Sequence, residues 1–210
     1  MAKKSVDLII SGVGGQGVVL ASTMIGRVAV DEGLDVKIAE THGLAQRGGS
    51  VVSHVRIGRN LFSPLIPSGQ ADAIVSFEPL EAARYVSFIQ PSSGIIIFNT
   101  KGILPMPVRL GMENYPSVES LITILRKYSP RIYPIDADQI AIKAGNIRTS
   151  NIVMLGALTA SIRLPFSIEC FKTTIKQDVP KGTEEVNMRA FTLGIEAAKN
   201  LNQNYMIERT

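Results

Sequence analysis

The sequence predicts an α/β protein: a Rossmann-like, mainly parallel sheet flanked by helices, with a helical C-terminal region. Three observations predict it. Short apolar runs alternate with segments of helical periodicity from residue 6 to residue 135. The first run passes through a glycine turn straight into a helical pattern. Beyond residue 138 only helical patterns remain. At 210 residues the chain exceeds the ~150-residue guide for one domain but is short for two, so residues 1–210 are expected to form a single α/β domain.

The elements follow in order. Val6 to Ser11 is an apolar strand interrupted only by Asp7, of the kind buried on both faces of a parallel sheet. The helix after the glycines aligns Val18, Ala21, Ile25 and Val28, and Gly33 ends it as a C′ glycine does. Asp35 to Ala39 is the next strand, which makes a βαβ unit with the first. Ser50 to Ile57 alternates, with Val51, Ser53, Val55 and Ile57 on one face and Val52, His54 and Arg56 on a wetter one. Gly58-Arg59-Asn60 is turn chemistry, and Leu61-Phe62 is expected to begin an antiparallel return. Ala71 to Phe77, Gly94 to Asn99 and Arg131 to Ile135 are further strands. Pro79 opens a helix where a proline lacks no needed hydrogen bond. Ile103 to Pro116, with three prolines, reads as an irregular excursion. Helices are expected over 117–128, 138–144, 151–162, 167–177 and 184–201.

Composition narrows the function classes. Hydrophobic residues make up 45% and charged residues 19%, below the ~25% usual for soluble domains. Few polar side chains are left to cover a surface, which fits either a large protein interface or a well-buried core. The net charge is +4, but the basic residues are scattered in runs of no more than two and are not interleaved with aromatics. That pattern argues against nucleic acid. The single cysteine, Cys170, excludes a disulfide within the chain and a cysteine-ligated iron–sulfur cluster, which needs about four thiolates. Cys170 itself lies in a helical pattern and is expected to be a small buried apolar residue. No apolar stretch reaches the ~18 residues of a membrane span, and the N-terminal run is too short for a secretion signal. No membrane association and a cytoplasmic location are therefore expected.

Two segments carry the chemistry. Gly12-Val13-Gly14-Gly15-Gln16-Gly17 follows a strand and precedes a helix. Free backbone N–H groups and the positive end of a helix dipole would converge there on an anion. The spelling fits the dinucleotide fingerprint, and Glu40 follows at close to the ~20-residue spacing of an acidic ribose ligand. The same glycines would equally allow close helix–strand packing with no ligand. Gln16 could donate its amide to a neighbouring loop or to a substrate oxygen. The second segment runs from Thr41 to Ser50. Arg47, beside Gly48 and Gly49, can present a planar fork to a carboxylate or phosphate, and His42 can move protons near neutral pH. Alternatively Arg47 pairs with Glu40, and His42 and His54 are structural. The motifs of serine hydrolases, P-loop proteins and zincins are missing, as is a thiamine diphosphate signature.

Together, Gly12 to Gly17 and His42-Gly43-Leu44-Ala45-Gln46-Arg47-Gly48-Gly49-Ser50 through Arg56 resemble the gamma-type domain of the 2-oxoacid:ferredoxin oxidoreductases. The His-Gly-x-Ala-Gln lead-in is closest to indolepyruvate-type members. Val179-Pro180, Glu185-Val186-Asn187 and Ala190 to Gly194 resemble them too. The resemblance implies a subunit that binds no cofactor by itself and is inactive alone. A larger partner would carry thiamine diphosphate, magnesium and [4Fe–4S] clusters in a heterotetramer. The complex would oxidise an aryl 2-oxo acid to an acyl-CoA, with coenzyme A and ferredoxin as co-reactants. Gly12, Gly14, Gly15, Gln16, Gly17, His42, Gln46, Arg47, Gly48 and Gly49 are the residues it points to for contacts with substrate, coenzyme A or the partner's active site. The rivals are pyruvate, branched 2-oxo acids or 2-oxoglutarate as substrate, a stand-alone NAD- or FAD-dependent oxidoreductase, and a non-catalytic module on the same fold.

Overall fold

The computed structural model describes residues 5–43 and 48–207. Six strands form one sheet in the order β2-β3-β1-β4-β5-β6. They are β1 (Ser5–Val13), β2 (Asp35–His42), β3 (Ser50–Gly58), β4 (Ala73–Ser76), β5 (Ile95–Asn99) and β6 (Arg131–Ile135). The pairs β1–β4, β4–β5 and β5–β6 are parallel, while β3 is antiparallel to both β1 and β2. The mainly parallel sheet is therefore observed, but the expected βαβ unit needs correction. β1 and β2 run in the same direction through α1 (Val18–Asp31), yet β3 is inserted between them.

The insertion has a physical anchor. Asp7, the residue that interrupts the first apolar run, is fully buried and stands directly opposite Arg56 in the β1–β3 register. Arg56 Nε donates to Asp7 Oδ1 at 2.9 Å. A slip of one residue would turn Asp7 and Arg56 to opposite faces and break a buried ion pair.

Each face of the sheet is covered. Leu8, Ile10, Val55 and Val75 face α1 together with the helices α5 (Ala137–Ala144), α6 (Ser150–Ser161), α7 (Ile168–Asp178) and α8 (Glu184–Ile207). Ile9, Val52, Ile74 and Ile96 face the other way, against α2 (Pro79–Arg84) and α4 (Val118–Leu125). A four-residue helix, α3 (Met106–Arg109), lies within the expected irregular excursion. Capping follows the sequence. Gly33 has φ +71° just beyond α1, Ser117 Oγ accepts from Ser120 N, and Asp136 Oδ1 accepts from Gln139 N.

Three further expectations are corrected. Leu61 and Phe62 start no strand; the chain from Arg59 to Gln70 is irregular, with Phe62 96% exposed. That coil covers the face of β3 expected to be wet. Ile66 N donates to His54 Nδ1 at 3.2 Å, and Arg56 Nη1 donates to Ser63 O at 3.2 Å. Polar side chains on this face serve as anchors for a loop, where alternation alone suggested water. Cys170 is half-buried, and its thiol donates to Glu32 Oε1 at 2.9 Å.

The closest packing is between α6 and α8. A Cβ on Gly156 would lie 2.1 Å from Phe191 O, and one on Gly194 would lie 2.0 Å from Val153 O. The helices therefore meet backbone to backbone, where no flexible side chain can yield. Gly156→Ala or Gly194→Ala should each destabilise the protein by about 3 kcal/mol, measured by urea unfolding.

His54 supplies a pH dependence. Burial holds its pKa below the ordinary value, so the folded chain keeps it neutral at a pH where the unfolded chain, titrating near about 6.5, takes up a proton. Its contribution to stability is complete above about pH 6.5 and is lost as pH falls towards the lower folded value. His54→Asn retains an acceptor for Ile66 N without titrating in that range. The fall in unfolding free energy between about pH 6.5 and pH 5 should be shallower in this variant than in the wild type.

Candidate functional site

The carboxyl ends of β1, β2, β4, β5 and β6 lie along one edge of the sheet, where open α/β sheets bind ligands. Because β3 runs the other way, its first residue, Ser50, and the loop before it reach the same edge. The two glycine segments meet there: Gly14 N donates to Gly49 O at 2.8 Å. Gly43 N donates to Ser50 O at 3.0 Å. Gln46 and Arg47, two of the expected contact residues, fall outside the described residues.

The turn is built by its own side chains and spaces. Gln16 Oε1 accepts from Val13 N at 2.8 Å, and Gln16 Nε2 donates to Phe77 O at 2.8 Å. Gln16 thus ties the turn to the end of β4, which is the neighbouring-loop role of its amide. Gly12 leaves the room for it, since a Cβ there would lie 2.9 Å from Gln16 Oε1. Gly17 caps α1 with φ +85°, and a Cβ on it would lie 2.6 Å from Asn151 Nδ2 at the start of α6. Both conformation and space require glycine at this position.

A cavity of about 560 Å³ opens beside the turn, lined by Gly14, Gly15, Gly17, Val19, His42 and Gly43 among others. The first N–H groups of α1 have no partner within the helix and its side chains provide no cap, so the positive end of the dipole faces this space. His42 is exposed at the mouth. Glu40 does not join them. It is level with Ile10, on a strand two places from β1 or roughly 10 Å away, and accepts from Ser22 Oγ at 3.1 Å. In a dinucleotide fold that acid stands on the strand next to β1. The inserted strand prevents this here.

A second cavity, of about 500 Å³, opens on the other face of the same edge, between α2 and the 103–109 segment. The sequence reading missed the two carboxylates in its wall. Glu78 is 2% exposed and Glu81 is 4% exposed. Glu78 Oε2 caps α2 by accepting from Glu81 N at 3.0 Å, while its Oε1 accepts from Ile103 N at 3.2 Å and from the Tyr115 hydroxyl. Glu81 accepts from Ser50 Oγ and from Arg84 Nε at 3.1 Å. Burial pushes the Glu78 carboxyl above its ordinary pKa despite the bonds from Tyr115, Glu81 N and Ile103 N. The Tyr115 hydroxyl is pushed up by burial and by Glu78. A signal was present in the chain, since Glu78-Pro79-Leu80-Glu81 has capping-box spacing at the end of a strand.

The sequence matches a family model for pyruvate ferredoxin/flavodoxin oxidoreductases over residues 7–197. The chain belongs to this family. Indolepyruvate oxidoreductase subunit IorB of Pyrococcus horikoshii is 40% identical over 199 residues, which span 94% of this chain and 98% of the relative. The subunit of the same name from Archaeoglobus fulgidus is 41% identical, over 91% of this chain and 94% of the relative. The gamma subunit of a keto/oxoacid ferredoxin oxidoreductase from Geobacter sulfurreducens shares the fold, with a TM-score of 0.66 at 24% identity over 93% of this chain and 99% of that one. A 2-oxoglutarate:ferredoxin oxidoreductase of Magnetococcus marinus, solved with 2-oxoglutarate, coenzyme A and succinyl-CoA, aligns with a TM-score of 0.71 at 21% identity, over 94% of this chain and 32% of that one.

Oxidoreductases of this family transfer electrons, and a thiolate-ligated iron–sulfur cluster does not fit the residues of this chain. One cysteine cannot ligate an iron–sulfur cluster, and no group of three metal-binding side chains occurs among the described residues. No helix among them is long and apolar enough to cross a membrane. The edge instead offers main-chain donors, a histidine and shaped space. Removing the Gln16 staple tests how that space is kept. Gln16→Ala deletes two hydrogen bonds and should lower stability by about 1–2 kcal/mol in chemical denaturation.

Proposed function

We propose that this chain is the smaller subunit of an indolepyruvate-type 2-oxoacid:ferredoxin oxidoreductase and that residues 1–210 form one gamma-type unit. Identity of about 40% to indolepyruvate oxidoreductase subunits, over nearly the whole length of each chain, carries the reading. A larger subunit would hold thiamine diphosphate, magnesium and [4Fe–4S] clusters, in a heterotetramer working in the cytoplasm. The decarboxylation and the electron transfer would belong to that subunit, since the one cysteine of this chain cannot ligate an iron–sulfur cluster.

The chain's own part is to bind and orient. The unpaired N–H groups at the start of α1, framed by Gly14, Gly15 and Gly17, would receive an anionic group of the substrate or of coenzyme A. Arg47, with Gln46 before it and Gly48 and Gly49 after it, would close over the same group with a bidentate fork. His42 would stand at the entrance and hold or move a proton. Gly12 and Gln16 would act at one remove, by holding the turn in place. The placement of Glu40 weighs against a dinucleotide in this cavity.

The test is co-expression with the larger subunit from the same genome and an assay of ferredoxin reduction with indolepyruvate and coenzyme A. The complex should turn over and the isolated chain should not. Arg47→Ala should leave the complex assembled and lower kcat/KM by about tenfold to a hundredfold, the worth of one charge-assisted hydrogen bond. A complex with unchanged kinetics would remove Arg47 from the site.

A further inference from the structure

We propose that residues 103–112 form the surface on which the larger oxidoreductase subunit docks, held in shape by Glu78. The inference rests on the subunit reading above and names the face that meets the partner.

The segment leaves the sheet after β5, at the same edge as the glycine turn. Ile103, Leu104, Met106, Leu110 and Met112 are all exposed on it. Scattered exposed apolar residues need no explanation, but five within ten residues make a contiguous patch. The patch is held rigidly. Glu78 Oε1 accepts from the segment's first N–H, at Ile103, and from the hydroxyl of Tyr115 just beyond its end. The Tyr115 ring fills the space over Gly102, where a Cβ would lie 2.7 Å from its hydroxyl oxygen. Pro105 and Pro107 restrict the backbone between, and Met112 N closes the turn on Pro107 O at 2.9 Å. An apolar surface fixed in advance loses little entropy when it is covered.

Charge selects the occupant. Lys101 and Arg109 border the patch against one carboxylate, Glu113. A second copy of this chain would bring like charge to like charge, whereas a partner with an apolar centre and acidic rim is complementary. In the Magnetococcus enzyme the same fold is about a third of a longer chain, so further protein accompanies it there. The bracket that holds the patch also reaches the other loop, since Glu81, one turn from Glu78, accepts from Ser50 at the exit of the Arg47–Gly49 segment. Docking at 103–112 would therefore bear on that loop through the first turn of α2.

The experiment co-expresses the full chain with the larger subunit and measures association by sedimentation velocity. Leu104→Asp combined with Met106→Asp should weaken association at least tenfold and leave the thermal midpoint of the isolated chain unchanged. Phe62→Asp, an equally apolar exposed site at the opposite edge, should leave association unaltered. Glu78→Ala should weaken it, with Glu78→Gln restoring most of it by keeping an acceptor for Ile103 N. Wild-type affinity in the double variant, equal weakening by Phe62→Asp, or no wild-type complex would each overturn the docking surface. A wild-type complex that assembles but oxidises no 2-oxo acid would overturn the functional reading and leave the surface standing.

Discussion

The antiparallel insertion of β3, locked by Asp7 and Arg56, is the constraint on which the functional edge depends. A strand parallel to its neighbours would start at the opposite side of the sheet and carry its preceding loop there. Running antiparallel, β3 starts beside the end of β1, so that Gly49 can accept from Gly14. The ion pair favours this register, because a slip of one residue would separate the buried Asp7 carboxylate from the guanidinium opposite it. The same insertion moves β2 one place outward and takes Glu40 away from the glycine turn. A feature that disqualifies the dinucleotide geometry is thus also the one that brings the two glycine segments together.

Most polar side chains near this edge are occupied in holding loops. Gln16 ties the turn to β4, Glu81 holds the start of β3, and Glu78 clasps the apolar excursion after β5. Behind them, His54 and Arg56 hold the coil that covers the second face. Such groups are buried only because each finds partners for its donors or acceptors, and that need makes the loops rigid. Among the described residues, the groups left for a ligand include the main-chain donors at the start of α1 and the exposed His42. An edge made of shape and backbone dipoles suits a subunit that binds and covers, and a single cysteine agrees with redox groups held on another chain.

Several elements were legible from the residues alone. The apolar runs located β1, β4, β5 and β6 because a strand buried on both faces admits little else. Gly33 and Pro79 marked helix ends because capping is decided within a few residues. Both glycine segments were legible as candidate contact loops, and the Gly14–Gly49 bond brings them together. His54 and Arg56 were legible as polar but not as covered, since periodicity reports the chemistry of a face and not what packs on it. Glu78 and Glu81 passed unremarked because their partners, Ile103, Tyr115 and Ser50, are distant in sequence.

By itself the sequence determined most of the strands and helices, the helix ends at Gly33 and Pro79, the glycine turn and the shortage of thiolates for an iron–sulfur cluster. These depend on the period of apolar residues, on local backbone preference and on residue counts, all of which act over short stretches of chain. Only the tertiary structure decided the strand order, the partner of Asp7, the clasp on residues 103–115 and the separation of Glu40 from the turn. Each of these is a contact between segments far apart along the chain, chosen by which buried charges and hydrogen-bonding groups could be satisfied at once.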